Sequence, residues 1–163
     1  MTARLRDRAD AGASRPDAAG RRFAVIASRT NGDVVDRLLA GALDCLASLG
    51  AADDAIEVFR VPGAFELPFA SKRAAESGRF DAVVALGAVI RGGTPHFEFL
   101  CAETARGLAS VALATDVPVL FGVLTTNTRE EALDRAGGKA GNKGAEAALA
   151  AAEMAVLDFG TAG

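Results

Sequence analysis

The chain has 163 residues and a formal net charge of −3, and half of its residues are apolar. This length favours one domain with a sizeable core, and the acidic balance argues against nucleic-acid binding. No apolar run reaches the roughly 18 residues of a membrane-spanning helix, and the N-terminal stretch lacks the apolar segment of a secretory signal. Cys45 and Cys101 lie in apolar helical patterns, so we expect buried thiols of a cytoplasmic protein. With the single histidine, His96, they do not make a zinc site.

The order of predicted elements is typical of an α/β fold. Residues 1–21 have no apolar periodicity, and we expect a disordered arm there, a single domain over residues 22–160 and a short tail at 161–163. Apolar runs predict strands at 23–27, 56–61, 82–90 and 117–124. Amphipathic runs predict helices at 34–49, 66–77, from 95 onward, 128–136 and 145–159, with a glycine-rich loop at 137–144. Strands that alternate with helices predict a parallel sheet with helices on both faces.

A turn with candidate site residues follows each predicted strand. These turns are residues 29–32, 62–66, 91–96 and 125–127. The carboxyl ends of parallel strands meet at one edge of a sheet, where ligands bind. Each turn alone is weak evidence, because glycine, proline and asparagine occur in any turn. Their expected convergence at one edge is what indicates a binding site.

The third turn leads into the only histidine. His96 is a candidate general acid/base, because an imidazole titrates near neutral pH; the alternative is a hydrogen-bonded surface histidine. We expect Thr94 to cap the helix and Pro95 to occupy its first position. Gly92, Gly93 and Thr94 either form a plain turn or hold a phosphate with backbone amides and a hydroxyl.

Two further features each have two interpretations. Phe65 is either a core residue or part of a pocket wall. The cations Arg135, Lys139 and Lys143 are either a solvated basic segment or ligands of a bound anion.

The last predicted helix has few charged residues, so its polar face is narrow. Such a helix is either deeply buried or packed against another subunit. We expect the second arrangement, because a domain of this size is too small to enclose the helix.

Four stretches together resemble the lumazine synthase (6,7-dimethyl-8-ribityllumazine synthase) family. They are VPGAFELPFA at 61–70, GAVIRGGTPHFEFLC at 87–101, PVLFGVLTTNT at 118–128 and RAGGKAGNKG at 135–144. The resemblance extends over about residues 23–159. It implies a three-layer flavodoxin-like fold with a four-stranded parallel sheet in the order 2-1-3-4. It also implies the penultimate step of riboflavin biosynthesis, in which 5-amino-6-(D-ribitylamino)uracil condenses with 3,4-dihydroxy-2-butanone 4-phosphate without a metal or organic cofactor.

The resemblance assigns roles to particular residues. His96 matches the proton-transfer histidine. The pyrimidine and its ribityl chain are expected at Thr30, Asn31, Ala64, Phe65, Glu66, Val89, Ile90 and, from an adjacent subunit, Phe121. The phosphate is expected at Gly93, Thr94, Arg135 and Lys143.

One position departs from the family pattern. Thr30 stands where the family usually has Phe or Trp stacked on the pyrimidine. Stacking contributes roughly 0.5–1.5 kcal/mol beyond burial, so its absence predicts weaker pyrimidine binding. The alternative function is that of a divergent, poorly active copy that binds a flavin or lumazine or forms a shell. The presence of His96, Glu66, Arg135 and Lys143 favours the enzyme.

The resemblance also implies active sites between the subunits of a pentamer. The uninterrupted GGKAGNKG segment is typical of family members that form icosahedral shells. We therefore expect a homo-oligomer built from pentamers, up to a shell of sixty subunits, with a decamer as the alternative. The expected partners are two small-molecule substrates, with neither nucleic acid nor membrane.

Overall fold

The structure is a computed structural model that describes residues 15–160. A four-stranded parallel sheet lies at the centre of the protein. Its strands are β1 (Phe23–Ser28), β2 (Ile56–Val61), β3 (Ala82–Ile90) and β4 (Val119–Thr126). Their order across the sheet is β2-β1-β3-β4, and all neighbouring strands are parallel. This arrangement confirms the predicted topology.

The two central strands are buried along nearly all of their length. Every residue of β1 is buried, and so is every residue of β3 before Ile90. Helices cover both faces of these strands, so both sets of alternating side chains must be apolar or small. The edge strand β2 differs, because Val58 and Phe59 are exposed there.

Five α-helices flank the sheet within the described part of the chain. They are α1 (Gly32–Ser48), α2 (Leu67–Glu76), α3 (His96–Thr115), α4 (Arg129–Asp134) and α5 (Lys143–Ala155). Helices α1 and α5 pack together on one face of the sheet, and α2 and α3 pack together on the other. The three layers confirm the predicted flavodoxin-like α/β fold. None of the helices in residues 15–160 is long and apolar enough to cross a bilayer.

The predicted boundaries lie within two residues of the observed ones, except at the end of α5. That helix ends at Ala155, before the predicted residue 159. It also begins two residues early, because Asn142 caps it: its Oδ1 accepts hydrogen bonds from the N–H groups of Gly144 and Ala145 at 2.9 and 3.1 Å. The preceding glycine-rich segment, predicted as a loop, forms a small antiparallel hairpin of β5 (Ala136–Gly138) and β6 (Gly141–Asn142).

Helix α5 packs closely on α1 within the same chain. Its buried face consists of small residues: Gly144, Ala147, Ala148, Ala151 and Ala152. At Gly144 the approach is so close that a Cβ atom would lie 2.0 Å from the carbonyl oxygen of Leu38. One face of α5 is thus buried within its own chain, but Met154 on this helix is 43% exposed, so the packing of α5 against another subunit stays a prediction. The alanine-rich sequence lets two backbones approach each other inside one domain.

The folded part of the chain begins earlier than the predicted residue 22. Ala18 is fully buried, and its N–H donates to the carbonyl oxygen of Leu49 at 2.9 Å. The N–H of Arg22 donates to a carboxylate oxygen of Asp81 at 2.7 Å. These contacts attach the end of the predicted arm to the domain. The remainder of the arm, residues 1–14, and the tail at 161–163 lie outside the described residues.

Candidate active site

An open cavity of about 660 Å³ lies at the carboxyl edge of the sheet. The turns after β1, β2 and β3 all contribute to its wall. The predicted site residues that line it are Thr30, Asn31, Ala64, Phe65, Glu66, Val89, Ile90, Thr94 and His96. Gly93 lies between two residues of the wall, Gly92 and Thr94. The topology therefore brings together three of the four turns that the sequence singled out.

Asn31 connects the first turn to the central strand. Its backbone is left-handed, with φ of 54°, a conformation that asparagine adopts more readily than most residues. Its side-chain amide donates to the carbonyl oxygen of Ala88 at 2.8 Å. This bond fixes the start of α1 against the end of β3, next to Val89 and Ile90 in the cavity wall.

Glu66 shapes the second turn. Its carboxylate accepts a hydrogen bond from the N–H of Gly63 at 2.9 Å, closing the short helical turn Ala64–Glu66 that precedes α2. Phe65 is held in the middle of this turn with 63% of its surface exposed. It belongs to the cavity wall, which decides between the two interpretations of Phe65 in favour of a pocket residue.

His96 is the first residue of α3 and lies exposed at the cavity. The predicted cap of this helix is wrong. Pro95 occupies the N-cap position rather than the first helical position, and no side chain caps the helix there. Thr94 lies one residue further out, on the cavity wall. Its hydroxyl therefore does not occupy the first N–H groups of α3.

Arg91 makes contacts that the sequence did not predict. Its Nε donates to Oδ1 of Asn127 at 2.8 Å, and its Nη1 pairs with the carboxylate of Glu98. Its guanidinium carbon lies 4.4 Å from the centre of the Phe97 ring. The hydrogen bond from Arg91 holds the pKa of the Glu98 carboxyl below its ordinary value. The sequence signal is only an arginine after a strand, because Asn127 is far away along the chain.

Three residues that the resemblance assigned to the site do not line this cavity. Phe121 lies on β4 and is 47% exposed. Arg135 donates to the backbone oxygen of Glu131 at 3.0 Å, and Lys143 pairs with Glu146 at 2.6 Å. Within the described residues of one chain, these three side chains therefore do not lie in the cavity that contains His96.

The described residues offer no site for a metal. They contain no group of three or more His, Cys, Asp and Glu side chains suited to one. Burial raises the pKa of both the Cys45 and the Cys101 thiol, so neither has the lowered pKa of an activated nucleophile.

The chain is similar to known proteins over nearly all of this fold. A sequence model described as 6,7-dimethyl-8-ribityllumazine synthase matches residues 20–158. The chain belongs to this family. A protein of Desulfatibacillum aliphaticivorans that is named 6,7-dimethyl-8-ribityllumazine synthase is 55% identical over 140 residues, which cover 86% of this chain and 90% of that protein.

Membership of the lumazine synthase family confirms the predicted resemblance. The matched residues include the whole sheet and all five helices. They also include every residue of the cavity wall. The match begins at residue 20, near the point where Ala18 attaches the N-terminal segment to the domain.

Proposed function

We propose that this chain catalyses the condensation of 5-amino-6-(D-ribitylamino)uracil with 3,4-dihydroxy-2-butanone 4-phosphate to 6,7-dimethyl-8-ribityllumazine. The observation that carries the proposal is the position of His96. The only imidazole of a lumazine synthase family chain lies at the mouth of a cavity whose walls come from three strand ends. The chemistry needs such a group, because each of its steps moves a proton.

The reaction needs proton transfer and positioning more than it needs a strong nucleophile. The substrate amine attacks the ketone and forms a carbinolamine, which loses water to give an imine. Phosphate then leaves, and a second amine closes the ring with loss of water. His96 gives and takes protons in these steps. The cavity wall holds two substrates in contact, which converts a bimolecular step into an effectively unimolecular one.

The two substrates occupy different walls of the cavity in this proposal. The pyrimidine and its ribityl chain lie against Asn31, Val89–Ile90 and the turn Ala64–Glu66. The phosphate lies at Gly93 and Thr94, where the uncapped start of α3 presents backbone N–H groups. His96 lies between the walls, next to the carbon atoms that react.

A neighbouring copy of the chain completes the site in this proposal. The resemblance gives Phe121 to the pyrimidine and Arg135 and Lys143 to the phosphate, yet none of them lines the cavity of its own chain. The protein is therefore a cyclic homo-oligomer, a pentamer, in which one subunit supplies His96 and the next supplies these three residues. The exposed apolar side chains of Phe65 and Phe121 support an interface between neighbouring subunits.

The pentamers assemble further in this proposal. The segment 137–144 forms a short hairpin without an insertion, as expected for family members that build icosahedral shells of sixty subunits. The protein acts in the cytoplasm on two small molecules, without nucleic acid or membrane as a partner. Its half-buried free thiols, Cys45 and Cys101, suit a reducing compartment.

A turnover assay with both substrates tests the function. The expected result is ribityllumazine, followed by its fluorescence, at a rate well above that of the same mixture without protein. Phosphate release is measured in parallel and should match product in amount. A protein that binds riboflavin or ribityllumazine tightly but does not accelerate the condensation would be the binding or shell-forming copy instead.

Mass photometry of the same preparation tests the assembly. A pentamer or a particle built from pentamers is the expected result. A stable monomer would contradict the shared site, and a stable dimer would contradict the pentamer, because two subunits cannot close a five-membered ring.

A further inference from the structure

Arg91 joins three parts of the chain around the candidate site. Its guanidinium contacts Phe97 and Glu98 in the first turn of α3, and it donates to Asn127 after β4. Its backbone N–H donates to the carbonyl oxygen of Thr126 at 2.9 Å. The side chain therefore links the end of β3, the start of α3 and the end of β4.

The turn that Arg91 spans is otherwise open. Residues 91–96 are all exposed, and a Cβ atom built at Gly92 or Gly93 would have no atom within 4 Å. Adjacent glycines have wide conformational freedom, so such a turn does not hold its own shape. Phe97 and Glu98 are the two residues directly after His96. By holding them, Arg91 fixes the far end of the turn next to the imidazole.

The third contact of Arg91 is itself well anchored. The N–H of Asn127 donates to a carboxylate oxygen of Glu131 at 2.8 Å. The N–H of Glu131 donates to the hydroxyl of Thr128 at 3.1 Å, which caps α4. Arg91 therefore binds a segment that is fixed to the start of a helix.

We propose that Arg91 is a positioning residue that holds His96 in place for proton transfer. This inference rests on the proposed function of His96 and adds a residue to which the resemblance gives no role. Arg91 does not line the cavity, so it acts through the first turn of α3. Only arginine combines several donors in one plane with a face that stacks on an aromatic ring. A displacement of the imidazole by about 1 Å is enough to lower a rate by up to roughly 10²-fold.

The first test compares single and double variants in steady-state turnover. Arg91→Ala should lower kcat by about tenfold and change KM for either substrate by less than about threefold, because the substrate contacts remain. In a His96→Ala background the same substitution should cause no further loss of kcat. Losses that multiply in the double variant would show that Arg91 acts independently of His96 and would overturn the proposal.

Two other variants sharpen the comparison. Arg91→Lys should retain part of the activity, since an ammonium group can pair with Glu98 but cannot also bind Asn127 and stack on Phe97. Arg79→Ala is the matched control: Arg79 pairs with Glu57 and lies 5.0 Å from the Phe80 ring, away from the cavity wall. It should leave kcat within about twofold of the wild type. If Arg91→Ala fails to assemble, Arg91→Lys and Glu98→Gln enter the same double-variant comparison.

Hydrogen exchange tests the positioning without relying on activity. In Arg91→Ala, the hydrogen-bonded amides of residues 98–101 in the first turn of α3 should exchange several-fold faster than in the wild type, whereas Arg79→Ala should leave them unchanged. Unchanged exchange in this segment would overturn the proposal. If the wild type showed no turnover, the proposed function would fail, and the exchange rates alone would still decide whether Arg91 holds the turn.

Discussion

The Thr30 hydroxyl donates a hydrogen bond to the carbonyl oxygen of Pro62 at 3.0 Å, and the Thr30 N–H donates to the same oxygen at 3.1 Å. The first two turns of the candidate site are therefore held together partly by a side chain. A hydroxyl in this position is directed at the protein backbone, and it offers no ring face to a pyrimidine. Thr30 thus shapes the cavity wall without supplying the stacking surface that the family resemblance leads us to expect.

We predict that Thr30→Phe lowers KM for the pyrimidine substrate by roughly threefold to tenfold. A stacked ring contributes about 0.5–1.5 kcal/mol beyond its burial, and the Thr30 N–H still holds the turn after the hydroxyl is lost. KM for the phosphorylated substrate should stay the same, because Gly93 and Thr94 are unchanged. Steady-state kinetics with each substrate varied in turn give both constants, and fluorescence quenching gives the affinity for riboflavin.

Thr30→Val is the control for this prediction. Valine has nearly the shape of threonine but lacks the hydroxyl, so it isolates the cost of losing the bond to Pro62, roughly 0.5–1.5 kcal/mol. A pyrimidine KM that stays constant or rises in Thr30→Phe, relative to Thr30→Val, would show that position 30 is not the stacking position.

We predict that Arg135→Ala raises KM for the phosphorylated substrate far more than KM for the pyrimidine. A guanidinium binds a phosphate through two parallel hydrogen bonds, and a shortened side chain loses both. Lys139→Ala is the matched control, because Lys139 lies in the same basic segment but is not one of the residues of the proposed phosphate site. Equal changes of both KM values in Arg135→Ala would assign a structural role to its bond with Glu131.

We predict that two impaired variants restore activity when they are expressed together and assayed at a concentration of the phosphorylated substrate well below the KM of Arg135→Ala. If His96 and Arg135 of one site come from different subunits, random mixing of His96→Ala and Arg135→Ala chains leaves about a quarter of the sites with both side chains. The mixed particles should then show up to about a quarter of wild-type turnover. Activity no higher than the average of the two separate variants would mean that each site lies within one chain.

We predict that Gly144→Ala lowers the midpoint of thermal unfolding by about 5–10 °C. The added Cβ would lie 2.0 Å from the Leu38 carbonyl oxygen, so two backbones must move apart, and overpacking of this kind costs roughly 1–3 kcal/mol. Gly32→Ala is the control, because nothing lies within 4 Å of its added Cβ at the start of α1. Calorimetry that found equal midpoints for the two variants would contradict the close packing of α5 on α1.

The sequence predicts the sheet well because its signals are local. The valine-rich run of β3 and the glycine after α1 identify their elements without knowledge of the rest of the fold. The start of α5 was also predictable, since Asn142 is a favourable N-cap residue three positions before the predicted start. The close packing of α5 on α1 was not predicted, because a narrow polar face indicates burial within one chain as well as an interface between subunits.

The candidate site was only partly predictable. Parallel topology brings strand ends together, so Asn31, Phe65 and His96 followed from their places after strands. The bonds of Arg91 with Glu98 and Asn127 did not, because they depend on how two turns face each other in space. The prediction that Thr94 caps α3 was wrong for a related reason. A sequence pattern does not determine at which residue of a turn the helix begins.

The most direct test of the account is the turnover number of His96→Ala at saturating concentrations of both substrates, measured on particles of wild-type size. We predict a kcat lower by about 10²-fold, with residual product because the condensation proceeds in part without a general acid/base. His96→Gln, which keeps a polar side chain but does not titrate, should lose nearly as much. An unchanged kcat in both variants would contradict the assignment of proton transfer to His96.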